Sequence, residues 1–317
     1  MNTQSNAMPE SHLESQVVAP AEISGTRRLY WSLRRELWEY RSIYVAPLAV
    51  AALILFGFLI STIHLREKMR TASTLSPMQQ HELIAQPYDF AALLIMFTTL
   101  VVAVFYCLDA LHGERRDRSI LFWKSLPVSD LNAVLAKASI PLVVLPLVTF
   151  SITVVTQFIM LLLSTMVLLG DFPGIATLWT QLSLFQTSLL LLYHLFAVHS
   201  LWYAPFFGWL LLVSGWARRA TFLWAVLPWI AIQILEKIAF NTSHFTSLIG
   251  HRLGGFAAEA FAFNPHSNSH ENPVAIDSLS QLTPGRFLST PGLWLGLLFS
   301  AACLLAAIRL RRERDPV

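Results

Sequence analysis

Long uncharged blocks of apolar residues alternate along this chain with short polar segments that carry the charge. A helix needs roughly 20 mostly apolar residues to cross a bilayer. Residues 42–63 meet that length without a charge and predict a first span, and residues 90–108 predict a second. Residues 138–170 hold a third, with Pro141 and Pro146 near its start and the helix-breaking run Gly170-Asp171-Phe172-Pro173-Gly174 after it. The stretch 172–217 is uncharged for 46 residues, too long for one crossing. A fourth span is expected at 182–213, bent or broken at Pro205. Residues 220–235 with a few neighbours predict the fifth, and 287–308 the sixth. The expected fold is an all-α integral membrane protein with six transmembrane helices.

Between the blocks the pattern changes. Residues 1–26 are polar, include Pro9 and Pro20 and lack the apolar core of a signal peptide, so they predict a disordered tail. In residues 27–41, Tyr30, Leu33, Leu37 and Tyr40 recur at spacings of three and four, while Arg27, Arg34, Arg35 and Glu39 cover much of the rest. That amphipathic pattern predicts a helix at headgroup level, either a simple anchor or an interfacial elbow packed on the spans. Residues 241–290 form the longest link. Its part 248–263 is too short to span and too apolar for a free loop, which predicts a re-entrant or interface-lying helix. Residues 264–285 are rich in Asn, Ser and Pro and predict exposed loop. There is no internal repeat, so residues 27–312 read as one membrane domain, followed by a tail at 313–317.

Composition agrees with the pattern. The chain is 55% hydrophobic and 13% charged, with a mean hydropathy of +0.56, against about 25% charged residues in an average soluble domain. Charge then sets the orientation. Sixteen of the 22 Lys and Arg residues fall in 27–41, 115–137, 218–219 and 309–314. Short loops rich in Lys and Arg stay on the cytoplasmic side, so both ends are expected there, which requires an even number of crossings. Six basic residues remain outside, and three of them, Arg66, Lys68 and Arg70, cluster against the trend. A pI near 9.0 fits attraction to anionic lipid headgroups, because the basic residues flank apolar spans; nucleic acid is not the expected partner. Cys107 and Cys303 both fall inside apolar spans, which excludes a disulfide framework and suits small core residues.

The link between the second and third spans, residues 109–137, is the most informative segment. Glu114, Arg115, Arg116, Asp117 and Arg118 mix both signs, and Ile120, Leu121, Phe122 and Trp123 follow. Apolar anchors beside orienting charges suit a protein contact; an ordinary charged loop whose Phe122 and Trp123 dip into the interface is the other reading. Pro127 breaks the chain, and Ser129 or Asp130 caps the helix after it.

Gly113-Glu114-Arg115, Ser119, Leu126-Pro127-Val128-Ser129 and Lys137, in this layout of six spans and an elbow, resemble the permease subunits of type-2 ABC exporters. Asp130 stands where that family often carries a basic residue. The resemblance implies that Glu114, Arg115, Arg116, Asp117, Arg118, Ser119, Leu121, Phe122, Trp123 and Lys124 form a coupling helix docked in a separate ATPase subunit present in two copies. It also implies a second permease chain, most simply a homodimer, a bacterial inner-membrane location, and an outer loop with short re-entrant helices before the last span. Trp216, Arg218 and Arg219 would make a second contact. The chain contains no G-x-x-x-x-G-K-[ST] phosphate loop, so ATP and Mg would be bound by the partner, and this chain would not itself be the enzyme.

Other chemistry is thinly represented. His194 and His199 are five residues apart, about 140° around an α-helix, which excludes the i, i+4 metal pair; buried helix-contact histidines are expected. His244, His251, His266 and His270 lack regular spacing, and no metal site is expected. Gln157, Gln186 and Gln233 are candidates for a substrate path, since polar groups within spans face protein or water. Without a chain of acids a proton-driven carrier is disfavoured, and an apolar lumen suits a hydrophobic or amphipathic cargo. A membrane-embedded enzyme using His194 or His199, and a non-transporting sensor or assembly subunit, are the alternatives.

Overall fold

The computed structural model describes residues 25–117, 129–261, 279 and 282–313. Among them the backbone is helical apart from turns and one isolated bridge between Phe261 and Leu282. Six helices are long and apolar enough to cross a membrane: Ser42–Ala72, Pro77–Arg116, Asp130–Val167, Phe172–Trp202, Thr221–Phe240 and Pro291–Glu313. They are called the first to sixth spans below, and the shorter apolar helix Ala204–Trp216, which follows the fourth directly, is counted with it. The chain is therefore built as a multi-pass membrane protein.

Local chemistry explains where several helices begin. Ser76 accepts a hydrogen bond from the Gln79 amide while the Gln79 side chain accepts one from the Ser76 amide, a reciprocal cap. The helix Pro77–Asp109 thus starts more than two turns before the apolar block at residue 90. Ser129, rather than Asp130, caps the helix Asp130–Ser139 by accepting from the Asn132 amide at 3.3 Å. Asp130 is left for another partner.

The fourth span departs most from a simple rod. Helix Phe172–Gln181 ends before Leu184–His194, a π-helical segment Leu195–Trp202 follows, and helix Ala204–Trp216 completes the run. The break expected at Pro205 falls at Tyr203, so the proline sits in the first turn of the next helix, where its missing N–H is not needed. A second π-helical segment, Ile140–Val144, lies in the third span beside Pro141 and packs on the first one.

The first three spans pack on one another, and Ala204–Trp216 packs on the second and sixth spans. Its contact with the sixth is close: a Cβ added to Gly208 would lie 2.7 Å from Ser300 Oγ and 3.0 Å from Ser300 Cα. Ser300 Oγ donates to the Ala204 carbonyl at 2.9 Å across the same seam. One apolar cluster joins Phe58, Met69, Ile84, Tyr88, Leu161 and Leu178; another joins Ile43, Tyr106, Cys107, Ile140, Phe207 and Leu211. The fifth span is different, for Ala225 is its only buried residue. Residues 244–260 form helices His244–Gly254 and Phe256–Ala260, tied to the fourth span by bonds from Trp202 Nε1 to the Arg252 carbonyl and from Tyr203 to the Leu253 carbonyl.

Candidate functional site: a buried ion cluster at one end of the bundle

Five segments meet at one end of the bundle: helix Gly25–Glu39, the end of the second span, the start of the third, the end of the fourth and the end of the sixth. Within the second span helix Pro77–Asp109 stops, and after a turn the short helix His112–Arg116 begins. That turn is held by Ser214, whose Oγ accepts from the amides of Leu111 and His112 at 3.0 and 2.9 Å. Gly113 lets the helix close on Asp109, because a Cβ there would sit 3.2 Å from the Asp109 carboxylate.

The turn delivers Glu114 into the interior, where it is 2% exposed. One carboxylate oxygen faces Arg35 Nη2 at 3.2 Å and Lys137 Nζ at 3.3 Å, and the other accepts from Arg311 Nη1. Lys137, only 1% exposed, also donates to Glu36 at 2.8 Å. The second oxygen of Glu36 accepts from Tyr106 at 2.9 Å. Arg311 reaches on to Asp130 at 3.1 Å. Three carboxylates (Glu36, Glu114, Asp130) thus interlock with three cations (Arg35, Lys137, Arg311), and Arg35 also pairs with the more exposed Glu39 at 3.1 Å. Alternating signs and hydrogen bonds offset the several kcal/mol per ion that removal from water costs.

Arg115 is buried beside this cluster but faces the fourth span. Its guanidinium donates to the carbonyls of Gly215 and Ala217, and the His112 ring lies 3.3 Å from the Ala217 oxygen. The last carbonyls of a helix have no partner within it, and a cation there suits the negative end of the helix dipole. Segment 215–217 is thereby fastened to the short helix His112–Arg116. Ser214→Ala is expected to cost about 1–3 kcal/mol, because two buried amides lose their acceptor. Hydrogen exchange at Leu111 and His112 should accelerate while the far end of the bundle stays protected.

The residues singled out from sequence divide accordingly. Glu114 and Arg115 are enclosed within this chain; Arg116 and Asp117 are exposed and pair with each other at 3.1 Å. Arg118, Ser119, Leu121, Phe122, Trp123 and Lys124 lie outside the described residues. Trp216 is partly exposed, edge-on to Trp224 at 4.8 Å, and Arg218 and Arg219 are exposed beside it. Gln157 is buried and donates to the Tyr88 carbonyl at 3.3 Å, whereas Gln186 and Gln233 are part-exposed on the fourth and fifth spans.

Sequence reasoning overlooked Glu36, Tyr106 and Arg311. Glu36 carried a readable signal: it follows Leu33 by three residues and precedes Tyr40 by four, an acid on the apolar stripe of its helix. Such a residue needs a buried cation, and Lys137 is that cation.

The histidine geometry needs correction. On an α-helix His194 and His199 would diverge, but the intervening residues are π-helical, with a longer turn that brings i and i+5 together. The two rings lie 5.4 Å apart, and His194 stacks on Phe261 at 5.8 Å. Among the described residues no third ligating side chain joins them in a metal-binding group.

No protein-family model, curated protein or solved structure matches the chain.

Proposed function

We propose that this chain is the membrane-spanning permease subunit of an ATP-driven exporter of the type-2 ABC kind, working with a separate ATPase. The observation that carries the reading is the cluster around Glu114. It joins helix His112–Arg116 to the N-terminal helix, the third span and the sixth span, while Arg115 joins it to the fourth. A partner gripping residues 118–124 would therefore pull on a braced platform, and several spans would move together. Without those bonds the same pull would only unwind a loop.

In this reading the loop end of the bundle faces the cytoplasm and Gly25–Glu39 is the elbow. ATP and Mg belong to two copies of the partner, whose closure pushes the platforms of two permease chains and reorients the spans toward the outside. The cargo is hydrophobic or amphipathic, in keeping with the apolar interior. Arg116, Asp117 and the knob at Phe122 and Trp123 make the docking contact, with Trp216, Arg218 and Arg219 as a second patch. Glu114 and Arg115 transmit the movement from beneath.

Affinity purification from membranes tests the proposal. A Walker-motif ATPase should accompany the wild-type chain, and Arg116→Glu combined with Trp123→Ala should reduce its recovery at least fivefold while membrane insertion persists. Equal recovery from wild type and double variant would remove the docking role. Nucleotide-dependent efflux from vesicles holding both subunits separates an exporter from a sensor or assembly subunit, which would need the contact but move nothing.

A further inference from the structure

The cationic cluster that runs against the charge trend has no place in the coupling scheme. Helix Leu65–Ala72 carries Arg66, Lys68 and Arg70. Arg66 is engaged locally, donating to the carbonyls of Val167 and Leu169 at the end of the third span, at 3.0 and 3.3 Å. Lys68 is exposed and makes no ion pair among the described residues. It sits on the rim of a cavity of about 240 Å³. Phe58, Met69, Ile84 and Leu178 supply apolar walls, and the buried pair Tyr88–Ser164, with hydroxyls 3.2 Å apart, lines its inner side. Tyr88 lies roughly 27 Å along its helix from Tyr106, so the cavity is at the far end of the bundle from the ion cluster.

We propose that this cavity binds a single-chain amphipath with an anionic head, its chain against Phe58 and Tyr88 and its head on Lys68. Charge complementarity selects the occupant: an apolar chamber with one uncompensated ammonium at its mouth matches a tail ending in a carboxylate or phosphate. The size favours one chain, since it falls just below the roughly 300–1,000 Å³ of drug-sized ligand pockets. Glu67 beside Lys68 is exposed and is not among the lining residues. Binding here is a property of this chain alone and does not require the ATPase, so it can fail or succeed independently of the exporter reading.

The test uses the full chain in phosphatidylcholine nanodiscs, photolabelled with a diazirine-bearing hexadecanoic acid, with the matching lysophosphatidic acid and the matching uncharged alcohol in parallel. At least one anionic probe should label peptides covering 65–72 and 84–90 and be displaced by its unlabelled form; which one does so identifies the head. Lys68→Gln, at an exposed position, should weaken labelling about fivefold, the effect of one basic residue at a membrane surface. Ser164→Phe, which fills the chamber, should abolish it. Thr221–Phe240, exposed along nearly its whole length, reports ordinary contact with lipid. The proposal is overturned if the alcohol labels as strongly as the acids, if Lys68→Gln labels like wild type, or if Thr221–Phe240 is labelled as heavily as the cavity.

Discussion

Replacing Glu114 by alanine is expected to cost about 3–5 kcal/mol, the range for removing one partner from a buried ion pair. Lys137 and Arg311 are 1% and 7% exposed and cannot turn to water when the carboxylate disappears. Lys137 would keep Glu36, Arg311 would keep Asp130 and Arg35 would keep Glu39, but each would lose its second carboxylate, and the three cations would converge on a site with no negative charge between them. Thermal unfolding in detergent checks this, with a fall of about 5–8 °C expected. Glu114→Gln should fall nearly as far, since charge rather than shape is lost. A double-mutant cycle with Arg311→Gln should show coupling of about 0.5–3 kcal/mol, as for residues sharing one network. Should Glu114→Ala melt like wild type yet lose the ATPase, Glu114 would contact the partner directly and the brace would be abandoned.

Gly208→Leu is the second change with a large expected effect. The added carbons would run into Ser300 Cα at 3.0 Å and Ser300 O at 3.2 Å, which are backbone atoms and cannot rotate aside. The fourth and sixth spans must then separate, losing the bond from Ser300 to Ala204 and the packing along that seam. Overpacking of this kind typically costs about 1–3 kcal/mol, and backbone neighbours place it at the upper end. Gly57→Leu is the control, because nothing lies within 4 Å of a Cβ there. Gly208→Leu should unfold earlier than Gly57→Leu, and equal melting of the two would show that the seam yields.

Much of the architecture was legible because bilayer thickness imposes a length on every apolar run. Six such blocks led to six helices long enough to cross, and the Pro205 break was misplaced by only two residues. Helix starts were less readable. The extension of the second span back to Pro77 depends on a side-chain cap at Ser76, which hydropathy does not register. The site was only half legible. The charges of residues 114–118 stood out, but nothing in their spacing said that Glu114 and Arg115 turn inward while Arg116 and Asp117 face outward. That division depends on Ser214, a hundred residues away in the chain, holding the turn before them.

Sequence by itself determined that this is a helical, multi-crossing chain with charge gathered in a few links, because insertion into hydrocarbon is governed by local composition. Tertiary structure alone decided which charges neutralise one another. Glu36, Glu114 and Asp130 meet Arg35, Lys137 and Arg311 across separations of 79 to 197 residues for the contacts made by Arg35 and Arg311, and such pairing follows from helix packing rather than from neighbours in the chain. The same applies to His194 and His199. Their five-residue spacing means divergence on an α-helix and contact on a π-helix, and only the packed bundle selects between the two.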